Sequence, residues 1–273
     1  MTPAPPQPDC TAAGTDTGTG TLTLPVEVCG RCAEPWTGAA LFCGQCGHRR
    51  DAESPTRADA APGEGGEIGM LLWLYGISLA ILVAASIYDR ISDDGFGADL
   101  GSTTALFLLF GAFALGHRSL VAQPLSRLGF SGRGYLAIGL FSLPILAVVH
   151  FYVEAVVGLF KLHLPGEIEH LVGHHWIWAV LLMAILPPLS EELGFRGLIY
   201  GGLRRSLSVG ETFLVSSFAF AMLHLSIPML LTHFPLGLYF CWLRHRSGSL
   251  WPPIFAHACH NFGVVVLAWT TET

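Results

Sequence analysis

Three short polar constellations interrupt an otherwise apolar chain. Glu191, Glu192 and Arg196 fall in ILPPLSEELGFRGLIYG, Phe220 and His224 in SSFAFAMLHLS, and His257 and Asn261 in WPPIFAHACHNFGVVV. Each holds a pair four residues apart, which on a helix puts both side chains on one face. A carboxylate beside a histidine can polarise a water and take its proton. A histidine and an asparagine on one face can donate hydrogen bonds to a developing oxyanion. An arginine four residues after a glutamate can keep that carboxylate charged and positioned. Together these are the parts for attack of water on a carbonyl without a serine or cysteine nucleophile. His150, Glu154, His233 and His260 are secondary candidates. Blander readings stand beside this one. A buried histidine often serves packing alone, and Glu191 and Glu192 would also suit a solvated helix end. No HExxH occurs, but Glu191, His224 and His257 could converge as a His2Glu zinc site with one open position.

The elements that must position these groups are membrane helices. Of 273 residues, 52% are hydrophobic and only 12% charged, about half the ~25% of soluble domains. Mean hydropathy is +0.54. A net charge of −6 excludes a basic nucleic-acid-binding domain. Residues 68–88 carry no charge over IGMLLWLYGISLAILVAASIY, long enough for a hydrocarbon core of ~30 Å. Further apolar stretches lie at about 101–116, 134–160, 175–190, 212–226, 228–243 and 250–270. The expected fold is therefore all-α: a polytopic membrane helix bundle of about seven spans over 68–273. Arg49, Arg50 and Arg57 precede the first stretch, and Arg118, Arg127 and Arg133 separate the second from the third. Arg204 and Arg205 follow the fourth, Arg244 and Arg246 the sixth, while the alternate loops hold only Arg90 and Lys161. The positive-inside rule then places the N-terminus in the cytoplasm and the C-terminus outside. Lys161 is the single lysine among 14 basic residues, a bias that fits a GC-rich bacterial source and hence a bacterial cell membrane.

The N-terminal part differs in character. Residues 1–27 are rich in Pro, Thr and Gly without an apolar period, and are expected to be a disordered tail. They lack a basic stretch followed by an apolar one, so no signal peptide is expected. Residues 28–48 hold Cys29, Cys32, Cys43 and Cys46 as C-x2-C-x10-C-x2-C. Two such knuckles make a tetrahedral thiolate site, so a zinc-ribbon-like module with a closed, structural zinc is expected. Two disulfides are the alternative, disfavoured by a reducing cytoplasm. Residues 49–67 read as a linker.

The three constellations, in this order and within spans, resemble the signature of the type II CAAX prenyl endopeptidase and bacteriocin-processing family, whose members are intramembrane glutamic proteases. The resemblance covers about 175–270, and SLWPPIFAHACHNF is similar in context as well. It implies that Glu191 is the general base activating water, assisted by His224. It implies that His257 and Asn261 stabilise the oxyanion, that Glu192 pairs with Arg196, and that Phe220 packs beside the site. The ribbon is no part of the family's core, and no catalytic cofactor is implied.

Two classes of function follow. One is an integral membrane endopeptidase acting on a peptide or membrane-protein substrate. The other is a non-catalytic scaffold or immunity-type protein whose ribbon recruits a cytoplasmic partner. A small transporter with a carboxylate proton relay is a third, although the inverted repeat it would need is not visible. For the ribbon, elemental analysis of the purified chain is expected to find about one zinc per chain, lost in Cys43→Ser.

Overall fold

The computed structural model describes residues 28–29, 64–161 and 175–272. Cys29 is buried; Cys32, Cys43, Cys46, the expected tail, most of the linker and residues 162–174 lie outside the described residues.

The described residues are almost entirely helical. Helices α1 (Glu64–Ser92), α2 (Gly95–Gly116), α3 (Arg118–Ser126) and α4 (Gly132–Phe160) come first. A composite helix α5 (Trp176–Leu203) follows, then α6 (Val209–Met222), α7 (Ile227–Ser247) and α8 (Trp251–Glu272). Four of them, α1, α2, α4 and α5, are long and apolar enough to cross a membrane. Helix α6 is apolar but has only 14 residues. Helices α7 and α8 are long enough but less apolar, because they carry His233, Arg244, His245, Arg246, His257, His260 and Asn261.

Local chemistry sets the ends of these helices. Asp94 caps α2 by accepting from the Gly97 N–H at 2.9 Å. Ser208 and Glu211 form a reciprocal capping box at the start of α6. At the end of α6 the chain reverses through Leu225 in the left-handed region (φ 51°), so α7 runs back against α6. Gly248 (φ 65°) closes α7, its N–H on the Arg244 carbonyl.

Helix α5 is the hub. Phe195 and Leu198 within it are fully buried, packed in one core with Leu74 of α1, Phe110 of α2, Val121 of α3, Phe220 of α6 and Phe240 of α7. Helix α8 packs on α4, on the first half of α5 and on α7. Outward-facing Trp73, Leu108, Phe151 and Ile227 are exposed. Such an apolar girdle is costly in water and natural in lipid.

Close approach at two glycines draws the hub together. A Cβ at Gly237 would lie 2.9 Å from the Ser217 Cβ, so α6 and α7 meet with almost nothing between them. A Cβ at Gly194 would sit 2.6 Å from the Phe110 ring. Gly194→Ala is therefore expected to cost about 1–3 kcal/mol by overpacking, read as a lower thermal midpoint in detergent. Gly69→Ala, with open space around it, should be neutral or gain up to about 1 kcal/mol.

Candidate active site

The carboxylates sit between two wide turns of α5. Residues Val180–Ile185 and Leu193–Ile199 are π-helical, flanking the α-helical Leu186–Glu192. The first wide turn follows from Pro187 and Pro188, whose rings in α geometry would press on the carbonyls of Met183 and Ala184. Widening moves those carbonyls away, and the Leu186 N–H bonds the Leu181 carbonyl five residues back. In the second, side chains intrude on the ladder: the Ser216 hydroxyl donates to the Phe195 carbonyl (3.3 Å) and Arg244 Nε to the Arg196 carbonyl (3.2 Å).

Between these turns lies a sealed layer of charge. Glu192 and Arg196 are both 0% exposed. Glu192 Oε1 accepts from Arg196 Nη1 and from His257 Nδ1, each at 3.0 Å. Arg196 Nη2 donates to the Gly237 carbonyl at 3.1 Å, a contact that the close α6–α7 approach makes available. The guanidinium carbon lies 4.5 Å from the Phe220 ring centroid and 5.2 Å from that of Phe240, so aromatic faces supply attraction where water cannot. Phe240 also stacks on His257 at 4.9 Å.

Glu191, the neighbour of Glu192, belongs to an accessible layer. Its side chain is 20% exposed, and its Oε2 lies 4.0 Å from His257 Nε2. His257 thus lies between both carboxylates, hydrogen-bonded to the sealed one through Nδ1 and facing the open one through Nε2. Across the Phe220 ring stands His224, 5.1 Å from that ring's centroid, while His257 is 5.8 Å from it. His224 Nδ1 contacts the Phe220 carbonyl at 3.1 Å. A carbonyl only accepts, so Nδ1 carries the proton and the neutral ring's Nε2 is the bare, basic nitrogen. His224 is partly exposed.

Asn261 has a definite task. Its amide nitrogen donates to the Met183 carbonyl at 2.9 Å. The positions four and five residues after Met183 are Pro187 and Pro188, neither of which has an N–H. The carbonyl is orphaned by sequence, and Asn261 of α8 supplies the missing donor. One N–H of the amide is thereby spent, and the second is the one an oxyanion contact would use.

The structure thus brings Glu191, Glu192, Arg196, His224 and His257 around Phe220, with Asn261 one turn further along α8 from His257. His233, only a secondary candidate by sequence, joins them: its ring lies 3.7 Å from that of His224. His260 is buried with Nδ1 lacking a hydrogen-bond partner among the described residues. His150 and Glu154 remain on α4, without a hydrogen bond or ion pair to these residues. Sequence spacing gave no sign of the Gly237 and Met183 carbonyls as partners, although the Pro187–Pro188 pair marks Met183 as needing one. Among the described residues, no group of three His, Cys, Asp or Glu side chains is arranged to hold a metal ion.

Residues 173–263 match the family described as type II CAAX prenyl endopeptidase Rce1-like, a segment that contains Glu191, Glu192, Arg196, His224, His233, His257 and Asn261. Among curated proteins, the chain is 33% identical over 88 residues to the Bacillus subtilis (strain 168) protein named "Putative membrane peptidase YdiL". That match covers 32% of this chain and 36% of the relative, so the chain spans about a third of the relative's length. No solved structure matches the chain. An Rce1-like segment on a body with four membrane-capable helices makes this an integral membrane protein.

Asn261→Ala is expected to lower stability by about 1–3 kcal/mol, the cost of a buried carbonyl without a donor. Pro188→Ala would restore an N–H five residues after Met183, in the register of this wide turn. The double variant should recover much of the loss in a thermal-melt cycle. Equal losses in single and double variants would show that Asn261 does not serve this carbonyl.

Proposed function

We propose that the chain is an intramembrane endopeptidase of the CAAX-protease type, working with a glutamate-activated water. The observation that carries this reading is the division of labour between adjacent carboxylates. Glu192 is sealed, its Oε1 held by Arg196 and His257 and its Oε2 without a partner among the described residues, whereas Glu191 is partly open and faces a ring nitrogen at 4.0 Å. A sealed carboxylate can only organise, while an open one can reach water.

In the proposed reaction a water held by Glu191 and His224 Nε2 gives its proton to Glu191 as its oxygen bonds the peptide carbonyl carbon. The carbonyl oxygen becomes an oxyanion. His257 Nε2, in a ring carrying both protons, and the second Asn261 N–H donate to it. Glu191 then returns the proton to the amide nitrogen and the C–N bond breaks; the hydroxyl proton of the new acid passes to the amine, so a carboxylate and an ammonium leave. Arg196 keeps Glu192 charged, and Glu192 orients His257. No catalytic cofactor takes part in this scheme.

The finer architecture belongs to the same proposal. Helices α6, α7 and α8 complete seven spans alongside α1, α2, α4 and α5, with the N-terminus and a zinc-bearing Cys29–Cys32–Cys43–Cys46 module in the cytoplasm. The substrate is a peptide or another membrane protein. The module serves a cytoplasmic partner or substrate.

Glu191→Gln should leave folding intact and abolish cleavage. The readout is a comparison of newly formed peptide N-termini in membranes expressing wild type or variant. Glu192→Gln should instead destabilise the fold by about 3–5 kcal/mol, because Arg196 loses its counter-charge. A fully active Glu191→Gln would refute the glutamate mechanism, and identical peptide termini with and without wild-type protein would favour the scaffold.

A further inference from the structure

His233 sits two turns into α7, where the reversal at Leu225 folds α7 back along α6. That hairpin lays its imidazole against the one of His224, ring centroids 3.7 Å apart and planes tilted by 40°. Both rings are anchored in the same way. His233 Nδ1 lies 2.9 Å from the Met229 carbonyl and 3.1 Å from Thr232 Oγ1, and the Thr232 hydroxyl itself donates to Met229. His224 Nδ1 lies on the Phe220 carbonyl. Each carbonyl demands the proton on Nδ1, so each neutral ring keeps a bare Nε2. Both residues are partly exposed, which lets protons reach them.

Two imidazolium ions cannot rest face to face at this separation without strong repulsion in a low-dielectric setting. Other imidazoles lie within electrostatic reach. His257 and His260 on α8 both interact electrostatically with His233, and His257 with His224. Arg196 of α5 lies against the Phe220 ring, which the imidazoles of His224 and His233 also contact. Glu192 is already committed to Arg196 and His257, so it does not serve as counter-ion to the pair.

We propose that His233 is a positioning residue of this site: it seats the His224 ring and limits the two imidazoles to one added proton between them. One ring of the pair then always keeps an unprotonated Nε2. Resting on the hydrolase reading, this gives His224 a neutral face for water while its neighbour holds the charge. The geometry of the pair is independent of that reading.

The test uses the full chain in lipid nanodiscs with 15N,13C-labelled histidine, followed by NMR from about pH 8 to about pH 5, the range in which histidines charge. At the upper end both rings should show the proton on Nδ1. At the lower end the pair should hold at most one imidazolium, never two. His233→Phe keeps an aromatic ring in the stack but removes the second acceptor, so His224 should then show the full imidazolium signal alone. Two imidazoliums in the wild type, an Nε2-protonated neutral ring, or a His224 signal indifferent to His233→Phe would each overturn the proposal. If that variant fails to fold, the wild-type proton count still decides, with assignment by His233→Asn. No substrate is needed, so a peptidase reading that failed through Glu191→Gln would leave this result standing.

Discussion

A full ionic cluster stands in the apolar middle of this protein, and the rest of the structure is arranged around keeping it there. Glu192 and Arg196 have no exposure at all. Removing two charges from water costs several kcal/mol each unless geometry is excellent and the remaining polar sites are matched. Three helices contribute to that matching: Arg196 lies on the carboxylate of its own helix, on a backbone carbonyl of α7 and against the aromatic faces of Phe220 and Phe240. His257 of α8 takes the remaining hydrogen bond to Oε1. The cluster thus ties α5, α6, α7 and α8 into one unit. A pure hydrophobic interface could not do this in lipid, where apolar contact has no driving force over contact with acyl chains.

The helix that carries the charges is bent to its task. Pro187 and Pro188 widen α5 on one side of the glutamates, and side chains of α6 and α7 intrude on the other. Wide turns of this kind are expensive in a membrane because they free carbonyls, and non-helical backbone is tolerated there only where protein satisfies it. Asn261, Ser216 and Arg244 provide that satisfaction. The same contacts set the rotation of α5, turning Glu192 inward and leaving Glu191 partly open.

Two layers result, one above the other across His257 and Phe220. The lower is sealed, with Glu192 and Arg196 at 0% exposure; the upper holds Glu191, His224 and His233, each partly exposed. This separation lets adjacent residues of one sequence motif carry different duties. Residues 173–263, which resemble a membrane endopeptidase family, lie over the hub of the fold, while α1, α2 and α4 mainly present apolar surface outward.

Much of this was legible in the sequence. Long uncharged runs set the helices, because a bilayer admits few other structures. The i,i+4 spacing of Glu192 with Arg196 anticipated their ion pair, since that spacing fixes neighbours on one helix. Spacing within a helix says nothing about contacts between helices. Hence His233 ranked with His150 and Glu154 by sequence, although only His233 is brought to His224. For the same reason the two glutamates read alike, and only the packing of α5 against α7 and α8 decided which is sealed and which is open. The partners of Arg196 and Asn261 are backbone carbonyls, which every residue possesses, so residue identity could not single them out. Sequence determined the helices and the chemical types they carry, because those depend on local composition. Tertiary structure alone decided burial, the histidine stack and the carbonyl partners, because they depend on the rotation and approach of helices far apart along the chain.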